Sequence, residues 1–273
     1  MVKNILKSGE TMDKTKIEWA DATWNPVTGC LNGCKYCYAK RIAERFGGSY
    51  IPRGGQKMPV LDEPVRTIHR DGKSGKIIGK NISPYPYGFT PTFHRYRLDI
   101  PERWTKPRTI FVCSMADLFG GWVPFKWIAD VFDACMKAPQ HRYLFLTKNA
   151  KRYSELEDIA LLPHGANYWY GTSVTSKTDA ESYAGDMEGI VNTFWSMEPL
   201  LGPVNMSEAK ETPGWVILGA ETGNRKNKVI PKKEWIDSIV EFCDAHGVPV
   251  LMKDSLIPVV GAENMRRDFP WTK

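Results

Sequence analysis

The chain has 273 residues, of which 42% are apolar, and 37 Lys and Arg against 31 Asp and Glu give a formal net charge of +6. This is enough apolar material for one sizeable core, while no apolar run reaches the length of a membrane span and the lysine-rich N-terminus lacks a secretory signal. We therefore predict a soluble, cytoplasmic protein with no membrane partner, whose six cysteines need not pair as disulfides.

The first third of the chain is predicted to contain an extension, a strand, a helix and an insertion. Residues 1–16 are predicted to be a disordered extension, and residues 17–273 a single domain. Thr23–Thr28 is the first predicted strand, and Tyr36–Phe46 is the helix after it. The range 47–106 is basic, rich in Gly and Pro and too long for an ordinary connection. We predict that it forms an irregular insertion after the first helix.

From Pro107 onward, short apolar strands alternate with amphipathic helices, which is the pattern of a parallel sheet or barrel. Two helices are clearest, Pro124–Lys137 and Lys233–His246, because each has an apolar stripe at three- and four-residue steps. The further predicted strands are Thr109–Cys113, Tyr143–Thr147, Tyr168–Val174, Thr193–Met197, Trp215–Leu218 and Val248–Met252. The predicted fold class is therefore α/β with six to seven parallel strands.

Polar residues follow most of these strands. They are Ser114 and Asp117, Thr147 and Lys148, Ser173 and Thr175, Glu198, Glu221 and Thr222, and Lys253 and Asp254. In parallel barrels the functional site is built at the carboxyl-terminal ends of the strands, so chemistry is expected there. For any single position, a polar cap of the following helix is the alternative.

Cys30, Cys34 and Cys37 form a C-x3-C-x2-C run between Gly29 and a helix, with Tyr36 just before the third cysteine. Such a run holds zinc, an iron-sulfur cluster or nothing. Zinc sites usually use two closely spaced ligand pairs, and no second pair with that spacing occurs. A ferredoxin would supply a fourth cysteine. The spacing favours a cluster with one open iron, with zinc and unliganded thiols as the alternatives.

The run GCLNGCKYCYAKRIAERF resembles the radical S-adenosylmethionine signature on the loop after the first barrel strand. Six blocks resemble, more closely, a phage- and prophage-associated radical S-adenosylmethionine family of unassigned function, namely IEWADATWNPVTGC, FVCSMADLFGGWVP, FLTKNAKRY, FWSMEPLLGPV, GWVILGAETG and VPVLMKDSL. They extend from residue 17 to residue 256 and so cover nearly the whole chain. The resemblance implies a partial (β/α) barrel and a more distant similarity to spore photoproduct lyases. In the block FVCSMADLFGGWVP, the cysteine at position 113 departs from the small or amide residue expected there.

The resemblance also implies ligands and roles. Cys30, Cys34 and Cys37 would hold a four-iron four-sulfur cluster whose open iron chelates S-adenosylmethionine. An electron from the cluster, which an external flavodoxin- or ferredoxin-type donor would reduce, would cleave the sulfonium to give a deoxyadenosyl radical. The implied cofactor-binding residues are Tyr36 and Glu221 at the adenine, Ser114 and Asp117 at the methionine amino group, and Lys148 and Ser173 at the carboxylate or ribose. Glu198, Lys253 and Asp254 would face the substrate. Cys113 would return a hydrogen atom, with a buried core cysteine as the alternative.

The substrate class is suggested by the insertion and one later segment. Between Ile51 and Arg108 there are twelve Lys and Arg against five acids. Six aromatic residues lie in the same segment, namely Tyr85, Tyr87, Phe89, Phe93, Tyr96 and Trp104. Cations contact phosphates and aromatic faces stack on bases, so the mixture suits nucleic acid. A second basic group, Arg225, Lys226 and Lys228, follows the sixth predicted strand.

Three functions follow from these observations. The first is a radical enzyme that modifies or repairs a nucleobase or nucleotide, in which a base in a duplex would be flipped out. The second keeps the radical chemistry but acts on a small metabolite or peptide. The third is a metal-binding nucleic-acid or regulatory module without turnover. A solvated lid whose aromatic residues pack on the barrel is the alternative role of the insertion.

Overall fold

In a computed structural model of the protein, the structure describes residues 15–47, 58–177, 179, 187–209 and 211–272. Residues 1–14 of the predicted N-terminal extension lie outside the described residues. The chain divides into two compact units, Met1–Leu118 with Trp122–His141, and Phe119–Gly121 with Arg142–Lys273. A single domain over residues 17–273 stays a prediction.

In the first unit, the first predicted strand is two strands. β1 (Ala22–Trp24) pairs in parallel with β7 (Thr109–Val112), whereas β2 (Val27–Thr28) pairs antiparallel with β6 (Thr92–His94). Pro26 separates β1 from β2, and a proline has no N–H to donate to a sheet ladder. The chain therefore leaves one sheet and enters another within two residues.

The described part of the insertion contains regular β-structure. β3 (Val60–Leu61) pairs in parallel with β6, and β4 (Arg66–Arg70) forms an antiparallel hairpin with β5 (Ile77–Ile82). In the turn, the Asp71 carboxylate accepts hydrogen bonds from the backbone N–H groups of Lys73 and Ser74, as aspartates in tight turns commonly do. The prediction of an irregular insertion is wrong for these residues, because this local turn sets the hairpin.

Helices in the first unit are α1 (Tyr38–Phe46), α2 (Ile100–Arg103) and α3 (Phe125–Met136). α1 begins two residues later than predicted because Cys37 is the N-cap, and its sulfur accepts a hydrogen bond from the Lys40 N–H. Pro124 likewise precedes α3 as its N-cap. The predicted apolar stripe of α3 is confirmed as buried, with Cys135 among its members.

The second unit is a five-stranded parallel sheet with helices α4 (Lys151–Asp158), α5 (Lys233–His246) and α6 (Ile257–Val260). Its strands, in spatial and chain order, are β8 (Arg142–Thr147), β9 (Tyr168–Ser173), β10 (Thr193–Met197), β11 (Val216–Leu218) and β12 (Val250–Met252). Together with β1 and β7, these five confirm the α/β class and the predicted count of six to seven. No helix of the described residues has both the length and the apolar character to cross a membrane.

The core of the second unit lies between α5 and the β10–β12 strands. Ile236, Ile239 and Cys243 of α5 are buried there with apolar residues of the three strands. α5 ends as predicted at His246, and its C-cap Gly247 has a φ of +66°, the left-handed conformation that glycine adopts without strain. Cys243 is thus a core residue, as Cys135 is in the first unit.

His94 in β6 is a fully buried histidine with one unsatisfied nitrogen. Its Nε2 lies 2.8 Å from the Thr28 hydroxyl, and its Nδ1 has no hydrogen-bond partner among the described residues. Burial, assisted by the charge of Arg97, lowers the pKa of His94 from 6.5 to about 2. The neutral imidazole is therefore the form that the fold accepts.

This burial predicts an acid-sensitive contribution to stability. Because the folded-state pKa is below the unfolded value of 6.5, the contribution is fully present above pH 6.5 and is lost as the pH falls. We expect His94 to lower the free energy of unfolding by about 1.4 kcal/mol per pH unit below that value. Urea unfolding of the wild type and of His94→Gln at neutral and acidic pH measures this difference. An unchanged pH dependence in His94→Gln, matching the exposed control His164→Gln, would contradict it.

Candidate functional site

The cysteine loop, residues 29–37, connects β2 to α1. Cys30, Cys34 and Cys37 are reduced thiols and are partly exposed, whereas Cys113, Cys135 and Cys243 are buried. The Cys30 sulfur accepts a hydrogen bond from the Asn32 N–H at 3.4 Å. The loop thus presents three reduced thiols within eight residues, next to a helix N-terminus.

Two glycines shape this loop in different ways. Gly29 has φ +86°, and a Cβ placed on it would lie 2.3 Å from the Thr90 carbonyl oxygen. Gly33 has φ +68°, but nothing among the described residues lies within 4 Å of the corresponding Cβ position. Glycine is therefore required at position 29 because the backbone packs closely there, and at position 33 only because of the left-handed backbone conformation.

A turn after β7, residues 113–117, lies beside the cysteine loop. Cys113 has a left-handed φ of +59°, and its N–H donates to the Trp24 carbonyl at 2.7 Å. The Asn25 side-chain oxygen accepts hydrogen bonds from the Ser114 hydroxyl at 3.2 Å and the Met115 N–H at 2.9 Å. Asn25 therefore fixes the turn, a role that its position after β1 did not reveal in the sequence.

Three hydrogen bonds join the cysteine loop and the start of α1 to this turn. Asn32 Nδ2 donates to Asp117 Oδ2 at 2.9 Å, and the Tyr38 hydroxyl donates to the Ser114 carbonyl at 2.7 Å. The Gly29 N–H donates to the Met115 carbonyl at 2.9 Å. The structure thus brings the predicted residues Ser114 and Asp117 to the cysteines. Asn32 and Tyr38 were missed by the sequence analysis, although each lies within three residues of a cysteine.

The thiols of this region differ in environment. Burial raises the pKa of Cys30 to about 12, and the charges of Asp117 and the other two loop cysteines add to the effect. Burial also raises the pKa of Cys113 to about 12, against a hydrogen bond from the Val27 backbone. Cys113 is therefore a protonated thiol in the interior, and its role as a hydrogen-atom donor stays a prediction. Tyr36, next to Cys37 in the loop, is half-buried.

The three thiols of the cysteine loop are the candidate ligands for a metal ion or cluster. Within the described part of the chain, no three His, Cys, Asp or Glu side chains are arranged to hold a metal ion. The chemistry of the loop nevertheless fits an iron-sulfur cluster, because it offers three reduced, reachable thiols on one short segment and the remaining cysteines are buried. Cys30, Cys34 and Cys37 are thus the residues that would hold it.

In the second unit, the structure brings together two predicted substrate-facing residues. Lys253, after β12, forms an ion pair with Glu198, after β10, and their side chains are only 14% and 27% exposed. Between them, a Cβ on Gly219 would lie 3.1 Å from Glu198 Cγ and 3.3 Å from Lys253 Cδ. The glycine after β11 therefore leaves the room that the pair occupies. Lys148 follows β8 and is half-buried. Ser173 is the last residue of β9 and is buried.

Two other predicted acids are engaged by arginines. The Glu221 side chain, 2% exposed, accepts hydrogen bonds from Arg225 Nε at 2.5 Å and Nη2 at 2.6 Å. This bidentate pair closes the loop after β11 and ties up one cation of the second basic group. Asp254, which is largely exposed, pairs with Arg267. Neither arginine was foreseen as a partner, because the pairing depends on how each loop folds.

The aromatic residues of the insertion pack mainly on their own unit. Phe93 is buried and stacks on Trp127 with ring centroids 5.2 Å apart. Tyr85 and Phe89 pack against buried residues of α1, and Arg108 lies over the Trp104 ring at 4.8 Å. The alternative of aromatic residues packed on the body of the protein therefore describes these positions, because burying an aromatic face is more favourable than leaving it in water.

The fold and the loop together define an α/β protein of parallel strands that carries three reachable cysteines before its first helix. The profile of the family described as "Protein of unknown function (DUF5131)" matches residues 14–256. The match spans most of the chain, so the protein belongs to this family. Searches of the curated proteins and of the solved structures each gave no match.

Proposed function

We propose that the protein is a radical S-adenosylmethionine enzyme whose cluster is held by Cys30, Cys34 and Cys37. The observation that carries the proposal is the distribution of thiols, with three partly exposed in one loop and three buried elsewhere. Three protein ligands on a four-iron cluster leave one iron for a cofactor. The parallel strands would then belong to a partial (β/α) barrel of the radical S-adenosylmethionine type, and the sequence blocks that resemble that family support it.

In this proposal, the chain binds and orients the cofactor. When bound, the cluster supplies the electron that cleaves the sulfonium of S-adenosylmethionine. Asp117, held to the loop by Asn32, supplies a carboxylate for the methionine ammonium group, and Tyr36 packs at the adenine. Lys148 and Ser173 are proposed to bind the carboxylate or ribose, and Glu221 orders the loop near the adenine by holding Arg225.

The Glu198–Lys253 pair is the strongest candidate for contact with the substrate. Two opposite charges of low exposure are costly to desolvate. The pair also follows the carboxyl-terminal ends of β10 and β12, where parallel α/β folds place their functional groups. In this proposal the Lys253 ammonium group and the Glu198 carboxylate would make polar contacts to a substrate heteroatom. Asp254 is proposed to lie farther out, since its carboxylate is exposed and paired with Arg267.

The substrate class proposed is a nucleobase or nucleotide, in a cytoplasmic reaction that uses a flavodoxin- or ferredoxin-type electron donor. The charge of the insertion supports this class more than its aromatic residues do, because Phe93 is buried and the other five aromatic residues are only partly exposed. A small metabolite or peptide substrate is the second candidate. A metal-binding nucleic-acid or regulatory module without turnover is the third candidate. The reconstitution experiment described next separates it from both enzymes.

Anaerobic reconstitution tests the proposal. The protein, incubated with iron and sulfide, is expected to bind about four of each per chain, to show a paramagnetic signal on reduction that changes with S-adenosylmethionine, and to form 5′-deoxyadenosine with dithionite. Metal analysis, electron paramagnetic resonance and chromatography measure these outcomes. A protein that binds only zinc, or that never cleaves the cofactor, would contradict the radical chemistry.

A further inference from the structure

The β4–β5 hairpin of the first unit has several exposed side chains. Its two strands form a sheet of their own and pair with no other strand in the described residues. An isolated two-stranded hairpin buries too little apolar surface to gain much stability in water. Even so, Ile68 and Ile77 on its strands are 49% and 48% exposed. The hairpin is therefore built with apolar groups that the rest of the described chain does not cover.

The register of the strands puts cations and an isoleucine on one face. Ile68 pairs with Lys80, and Arg66 pairs with Ile82. Residues two apart on a strand share a face, and so do directly paired residues. Arg66, Ile68 and Lys80 therefore lie side by side, and all three are exposed. Thr67 and Asn81, which pair with each other, lie on the opposite face.

The charge of the hairpin is almost entirely positive. Arg66, Lys73, Lys76 and Lys80 are exposed, and within the described chain no acidic side chain lies within ion-pair distance of them. The only acid between Arg66 and Ile82 is Asp71. Its carboxylate is occupied by the turn, where it accepts from two backbone N–H groups and from the Ser74 hydroxyl at 2.8 Å.

We propose that the β4–β5 hairpin is a ribbon that binds duplex DNA. The major groove, about 12 Å wide, admits a two-stranded β-ribbon, and lysines and arginines along such a ribbon neutralise phosphates. Ile68, between two cations, suits the apolar surface of sugars or thymine methyl groups. This inference rests on the nucleic-acid part of the proposed function, and it assigns substrate binding to one element.

Charge complementarity favours nucleic acid over a protein partner. A protein interface depletes lysine at its centre, whereas the tip and one strand of this hairpin carry Lys73, Lys76 and Lys80. Binding by the ribbon would leave the substrate nucleotide to be extruded from the duplex before any reaction in the interior of the protein. The hairpin therefore holds the duplex and does not itself take part in chemistry.

The test measures binding of a short fluorescein-labelled DNA duplex by fluorescence anisotropy over a range of salt concentrations. The variant replaces Lys73, Lys76 and Lys80 with Gln. We expect its affinity to fall at least about tenfold and the slope of log K against log[salt] to decrease by about 2 to 3, roughly one counterion per phosphate contact. The control replaces the exposed residues Lys16, Lys137 and Lys151 with Gln, which changes the net charge equally.

Three results would overturn the inference: no binding of the duplex by the wild type, equal losses in the two triple variants, or equally strong competition by polyglutamate. Thermal unfolding checks that both variants fold, and Lys80→Gln alone replaces the triple variant if that one does not. Iron content is measured on the same samples without DNA. A failure of cluster assembly is therefore recognised separately from a failure of DNA binding.

Discussion

Replacing Cys34 with alanine is expected to abolish cluster binding and cleavage of S-adenosylmethionine. The change removes one of only three thiolates, and a cluster with two protein ligands is not retained through purification. Iron content should fall from about four per chain to near zero, and 5′-deoxyadenosine should become undetectable. Cys37 is a less suitable position, because its sulfur also caps α1 and loss of a cap costs about 1 kcal/mol.

The matched control is Cys243→Ala, the same substitution in the buried core of the second unit. It removes one sulfur from a packed site and is expected to cost about 1 kcal/mol of stability while leaving iron content unchanged. Metal analysis of both reconstituted variants decides the matter. If Cys34→Ala keeps its iron, or if Cys243→Ala loses it, the assignment of the three loop cysteines as ligands is wrong.

Gly29→Ala is expected to destabilise the first unit severely and to displace the cysteine loop. The new methyl group would lie 2.3 Å from the Thr90 carbonyl oxygen, 2.4 Å from its carbon and 2.7 Å from the Phe89 oxygen. These are backbone atoms, so no side-chain rotation relieves the overlap. The residue must also keep φ at +86°. The overlap and the backbone strain together are expected to lower the free energy of unfolding by roughly 3 kcal/mol or more. We also expect poor iron incorporation.

Gly33→Ala provides the comparison within the same loop. Its backbone is also left-handed, at φ +68°, but no atom of the described chain is near the added methyl group. Strain alone should cost about 1 to 2 kcal/mol, with iron incorporation largely preserved. Urea unfolding and metal analysis of the two variants side by side measure the difference. Equal losses would mean that the packing of Gly29 against Thr90 does not hold the loop in place.

A large part of the fold could be predicted from the sequence, because its signals are local. The helix Lys233–His246, the buried stripe of α3 and the strand Thr193–Met197 were all predicted from periodicity. Errors at other ends of elements were small and came from caps such as Cys37 and Pro124. The β4–β5 hairpin was missed because Gly-rich basic sequence has little apolar alternation.

The contacts around the candidate site could not be predicted in this way. Asn32 and Asp117 are 85 residues apart, and Glu198 and Lys253 are 55 apart. Which polar side chains meet depends on the strand register and on the loop conformations, and neither leaves a local pattern in the sequence. Tertiary pairing also divides the first predicted strand at Pro26. The part before Pro26 pairs in parallel with β7, and the part after it pairs antiparallel with β6.

The sequence by itself therefore determined the α/β class, the core faces of the helices and the three-cysteine loop, since burial periodicity and residue chemistry are properties of short segments. Only the tertiary structure decided that the cysteine loop is hydrogen-bonded to the Ser114–Asp117 turn and that Glu198 forms an ion pair with Lys253 beside Gly219. It also decided that the basic β4–β5 hairpin is left exposed. The physical reason is that hydrogen bonds and ion pairs form between side chains that folding brings within reach, whatever their distance in sequence.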